Sequence, residues 1–168
     1  MKFFCVPEHF FIVYQFQRLG QVRGSNFSLL KFVPMWNLVS KNTLLIIDDD
    51  EVMVLLLKKL FEKKYIVYTA CDGVEAIDHL ARGVCPDLII TDIFMENIDG
   101  YQLIKHLSTS VVYKHIPVIV LSGYKNAALP HNSLFSTMLN KPFDPLQLQN
   151  LVETSILNKH SIQSCNEN

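Results

Sequence analysis

The chain has 168 residues, 49% of them hydrophobic and 18% charged, with a formal net charge of −1. That length suits one compact domain, and that composition excludes a wholly disordered chain. The charge is unevenly placed: residues 1–42 hold five Lys/Arg and one acid, whereas residues 43–157 hold nine Lys/Arg and 14 Asp/Glu, so the acidic part is not expected to bind nucleic acid, whose phosphates it would repel.

Residues 1–42 hold seven of the 11 Phe without a clear period. The apolar run His9-Phe10-Phe11-Ile12-Val13-Tyr14 is far shorter than the roughly 18 apolar residues of a membrane span, and no small-residue cleavage site follows it. Neither membrane insertion nor secretion is expected. The segment reads as a disordered or accessory extension, or as residues upstream of a true start at Met35.

From Thr43 onward, strands and helices alternate. Thr43-Leu44-Leu45-Ile46-Ile47 is a short apolar run stopped by acids, which suits a strand buried on both faces. Glu51–Lys64 carries Val52, Leu55, Leu56, Leu60 and Phe61 at helical spacing and ends in basic residues that complement the helix C-terminus. Asp50 reads as its cap. Tyr65–Thr69 is strand-like, and Val74–Arg82 reads as a helix with Gly83 as its stop. Pro86–Thr91 is a strand ending on Asp92, and a turn-rich loop runs to Gly100. Tyr101–Leu107 offers Tyr101, Leu103, Ile104 and Leu107 to a core. Ile116–Leu121 is a further buried strand, ending on Ser122. Between Tyr124 and Ser133 a helix is expected to be short or irregular, because Pro130 cuts it. Phe135–Leu139 reads as the last strand, and Asp144–Leu157 as an amphipathic helix with Leu146, Leu148, Leu151, Val152 and Ile156.

The four cysteines, Cys5, Cys71, Cys85 and Cys165, form no C-x-x-C pair and have no histidines at zinc spacing. They read as reduced thiols of a cytoplasmic protein.

This order of elements implies βαβ units and a parallel sheet, with the site just past the carboxyl ends of the strands. There the chain places Asp48-Asp49-Asp50, Asp92, Ser122 and Asn140-Lys141. Converging carboxylates need a cation, and oxygen ligands with open water positions suit Mg²⁺. Beside it Asp92 could attack phosphorus as a nucleophile, with Lys141 and Ser122 balancing the phosphoryl oxygens.

Four motifs carry a family resemblance over residues 43–157: Ile46-Ile47-Asp48-Asp49-Asp50-Glu51, Asp87 to Gly100 around Asp92, Pro117-Val118-Ile119-Val120-Leu121-Ser122-Gly123, and Lys141-Pro142-Phe143. In this order they resemble the motifs of response-regulator receiver domains. The resemblance implies an α/β, doubly wound, flavodoxin-like fold, a five-stranded parallel sheet of order 2-1-3-4-5. It also implies roles. Asp48 and Asp49 would hold Mg²⁺, one through water, Asp92 would be phosphorylated and share the metal, and the Phe94 backbone carbonyl would be a further ligand. Ser122 would turn toward the phosphoryl group, Lys141 would pair with it, the Lys141–Pro142 bond would be cis, and Gly123 would leave room for the phosphodonor.

A stand-alone regulator is therefore expected, with residues 158–168 as a C-terminal tail. It would accept phosphate from a sensor histidine kinase or histidine phosphotransfer protein, possess no multiple-turnover activity, and act on a downstream protein target. A degenerate receiver that only docks is the alternative. A Mg²⁺-dependent aspartyl phosphatase would need an acid where Phe94 stands, and a flavin phosphate would be repelled by Asp48-Asp49-Asp50.

The chain departs from the family pattern at three places. Glu96 stands where the family has Pro, Ser122 and Lys141 lie closer in sequence than usual, and Met138 replaces an aromatic switch residue. Phe94 and Tyr124 are expected to flank the phosphoryl group and slow its hydrolysis.

Overall fold

A computed structural model of the chain describes residues 41–123 and 136–165. The expectations for residues 1–40, for the helix between Tyr124 and Ser133, and for the last three residues lie outside these.

The elements are β1 (Thr43–Ile47), α1 (Glu51–Phe61), β2 (Ile66–Ala70), α2 (Gly73–Ala81), β3 (Leu88–Asp92), α3 (Gly100–Thr109), β4 (Val118–Ser122), β5 (Ser136–Asn140) and α4 (Pro145–Cys165). All strand pairs are parallel, and the sheet order is β2-β1-β3-β4-β5. This is the doubly wound flavodoxin-like arrangement anticipated from the sequence.

Central strands covered on both faces explain the unbroken apolar runs. Leu44 and Ile46 of β1 pack with Leu57 and Phe61 of α1 and with Leu148, Val152 and Ile156 of α4. Their neighbours Leu45 and Ile47 point the other way, toward Ala76 and Leu80 of α2 and Leu103, Ile104 and Leu107 of α3. Each such side chain, fully buried, contributes about 1.5–3 kcal/mol. The site is thus carried by strands packed on both sides. Strand β2, at the sheet edge, alternates exposed with part-buried residues until Ala70, as a half-covered strand should.

Helix α1 differs from its expected face. Leu57 and Phe61 are buried and Met53 and Leu60 partly so, while Val52, Leu55 and Leu56 are exposed. Its first two turns are apolar nearly all round, so spacing alone does not choose the buried stripe. Asp50 is the cap, its side chain accepting from the backbone N–H groups of Val52 and Met53. Helix α4 continues through Cys165, past its expected end at Leu157. Cys71 is a free, exposed thiol.

Candidate functional site

Strand register builds the site. Ile47 pairs with Thr91, so Asp48 and Asp92 follow side by side at the ends of β1 and β3. Asp92 pairs with Leu121, and Ser122 with Asn140, which puts Lys141 just past the end of β5. The Lys141 backbone N–H donates to the Ser122 carbonyl at 2.6 Å, and the Lys141–Pro142 bond is cis.

One carboxylate oxygen from each of Asp48, Asp49 and Asp92 lies within 4.8 Å of the others. Asp48 is buried, Asp92 half-buried and Asp49 exposed. The Lys141 ammonium lies 2.9 Å from Asp48 Oδ2 and 3.4 Å from Asp92 Oδ1. The other Asp48 oxygen accepts the Asp50 backbone N–H at 3.0 Å. Burial pushes the Asp92 carboxyl above its ordinary range, against the Ile93 backbone N–H and the Lys141 charge, and the Asp48 charge adds to the rise. Burial also works to lower Lys141, but the Asp48 hydrogen bond and the charges of Asp48 and Asp92 outweigh it, so its pKa is raised. Lys141 therefore stays an ammonium.

Three carboxylates face one ammonium, which leaves excess negative charge in a partly desolvated corner. A hard divalent cation that tolerates water ligands suits such a set of oxygen donors, and the exposure of Asp49 leaves a side open to solvent. Ser122 is fully buried at the end of β4, and Phe94 is about half exposed (53%) in the loop after β3. A Cβ built on Gly123 would meet nothing within 4 Å among the described residues. Met138 is half-buried and packs with the α2–α3 side of the core. Tyr124 and Phe135 lie outside the described residues.

Three features of the loop after β3 escaped sequence reasoning. Gly100 approaches the chain so closely that a Cβ there would run into the Asp92 carbonyl oxygen, and its N–H donates to the Ile93 carbonyl at 2.8 Å. Asn97 adopts φ 59°, the left-handed region uncommon for residues other than glycine. Its side-chain amide donates to Asp72 Oδ2 at 2.6 Å. The only hint was Asp72 followed three residues later by Glu75, a helix-start signal.

A family model of the response regulator receiver domain matches residues 44–153. The chain belongs to this family and is a receiver domain of two-component signalling. It is 31% identical over 115 residues to hybrid signal transduction histidine kinase D of Dictyostelium discoideum, a match covering 67% of this chain and 7% of that protein. A response regulator structure from Chloroflexus aurantiacus J-10-fl is 28% identical, with a TM-score of 0.63 over 70% of this chain and 98% of that one. The receiver domain of a sensor histidine kinase from Pseudomonas aeruginosa PAO1 shares the fold at 22% identity and a TM-score of 0.60, covering 69% of this chain and 98% of its own. That structure holds a magnesium ion in its active site cleft. Among the described residues, no helix is long and apolar enough to cross a membrane.

Proposed function

We propose that Asp92 accepts a phosphoryl group from a phosphohistidine of a sensor histidine kinase or histidine phosphotransfer protein, in the cytoplasm. The observation that carries this reading is the meeting of Asp48, Asp49, Asp92 and Lys141 at three strand ends within hydrogen-bonding or shared-ligand distance. An Asp92 carboxylate oxygen attacks phosphorus, an acyl phosphate P–O bond forms, and the P–N bond breaks with its electron pair returning to the imidazole. Asp48, Asp49, Asp92 and the Phe94 carbonyl would hold Mg²⁺, which when bound supplies positive charge against the phosphoryl oxygens. Lys141 supplies a fixed ammonium, and the Ser122 hydroxyl a hydrogen-bond donor, where that charge concentrates. Receiver domains are not, as a rule, multiple-turnover enzymes, and slow self-hydrolysis of the acyl phosphate is the expected fate.

The test is labelling with a small-molecule phosphodonor with and without Mg²⁺, followed by locating the adduct by mass spectrometry. The expected result is one Mg²⁺-dependent adduct on Asp92, absent from Asp92→Ala. No labelling of the folded wild-type chain would favour a receiver that only docks.

A further inference from the structure

The loop that leaves Asp92 is held from outside its own strand. Its 93–99 span closes on itself through Gly100 N–H to the Ile93 carbonyl. It is then tied to the start of α2 twice. The Gly73 N–H donates to the Ile98 carbonyl at 3.2 Å, and the Asn97 amide donates to Asp72 Oδ2 at 2.6 Å. The contact is close: a Cβ on Gly73 would lie 2.6 Å from Ile98 Cγ2. Asp72 is the N-cap of α2, and its other oxygen accepts the Glu75 N–H at 2.8 Å. One buried carboxylate therefore joins a helix N-terminus to the loop after the acceptor strand. Position 96, where a proline ring would fix φ, is Glu96, which leaves the backbone free to turn. Asn97 meanwhile holds a left-handed conformation, which asparagine adopts more readily than most side chains but still at a cost. A charge-assisted hydrogen bond from its side chain offsets that cost.

We propose that Asp72 and Asn97 are positioning residues for the metal site, a clasp that presets the loop bearing the Phe94 carbonyl. This rests on the reading of the site as a Mg²⁺-dependent phosphoacceptor. Without the clasp, the loop must be ordered when the cation binds, and the affinity falls by that cost.

Isothermal titration of the full chain with MgCl₂, beside thermal melts in EDTA, tests it. Asn97→Asp tolerates the left-handed backbone but sets two carboxylates against each other. By charge alone, an added anion near the site would tighten Mg²⁺ binding. The clasp predicts the opposite, a loss of about tenfold, the lower end of what losing a partner behind a metal ligand costs. The exchange Asp72→Asn with Asn97→Asp restores one donor and one acceptor at unchanged total charge, and should return the affinity to within about twofold of wild type, because the pair's coupling is what such a cycle measures. Should Asn97→Asp fail to melt cooperatively, Asn97→Gly, which suits the same φ, reads the same loss. Unchanged or tighter binding in the folded single variant would overturn the clasp, as would a double variant no better than the single. A wild-type chain that takes up no Mg²⁺ would overturn the metal site itself and the clasp's role with it.

Discussion

Asp48 is almost wholly buried, yet both of its carboxylate oxygens are engaged, one by the Asp50 N–H and the other by Lys141. An uncompensated charge there would be costly, and these partners hold it in place before any cation arrives. Asp92 is less fully matched, and burial raises its pKa. Such a perturbed carboxylate in a cleft is where chemistry is expected. Phe94, two residues on, leaves its ring about half exposed in the same loop. If that ring limits the approach of water, the acyl phosphate is long-lived. We expect Phe94→Asn to shorten its half-life several-fold, on the order of 1 kcal/mol of barrier. The check is decay of labelled protein after donor removal, and equal half-lives would remove the ring from the account. The site's main residues were legible in the sequence for a physical reason: β1 and β3 are apolar runs that stop at acids, so the strand ends announce themselves. The Asn97–Asp72 bond was not, because it joins residues 25 apart that share no period.

At the scale of elements, α3 is set by how near it comes to β3. Gly100 opens the helix, Asp99 caps it with a reciprocal Gln102 contact, and no side chain can be fitted at position 100 without striking the Asp92 carbonyl. Gly100→Ala should cost about 2–3 kcal/mol in urea unfolding, as overpacking does, and should also slow labelling of Asp92. A variant of wild-type stability would show that the helix start can shift freely. Existence and order of the elements followed from periodicity, whereas two features did not. The buried stripe of α1 was ambiguous because Val52, Leu55 and Leu56 compete with Leu57 and Phe61 for the core. The length of α4 was hidden because the polar residues after Leu157 mark no stop, and the helix runs on to Cys165.

At the scale of the described sheet, a charged contact ties the elements together at the end opposite the candidate site. At the amino end, the Lys159 ammonium from α4 lies 3.2 Å from Asp87 Oδ1 and within 3.4 Å of the Pro86 and Asp87 carbonyls, with its side chain only 9% exposed. Asp87 in turn pairs with Thr43, accepting its N–H through Oδ2 at 2.9 Å and donating its own N–H to its carbonyl at 2.7 Å. This ties α4 to the starts of β1 and β3. Hydrogen bonds to charged groups contribute about 1.5–3 kcal/mol, so Lys159→Ala should lower unfolding free energy by about 2 kcal/mol. Labelling of Asp92, at the other end of the strands, should keep its wild-type rate under conditions where the variant is folded. A loss of labelling in folded Lys159→Ala would mean the two ends are coupled.

Because Asp48, Asp92 and Lys141 are delivered by three different strands, with Asp48 and Lys141 separated by 93 positions along the chain, no fragment lacking β1, β3 or β5 assembles the site. A chain emerging from synthesis gains Asp48 and Asp92 well before Lys141, and a one-residue slip of β3 would turn Asp92 to the other face of the sheet. Phosphate uptake would therefore double as a certificate of folding: half-made or misthreaded copies stay silent, and the pool of molecules able to carry a signal is the pool that has finished building its sheet.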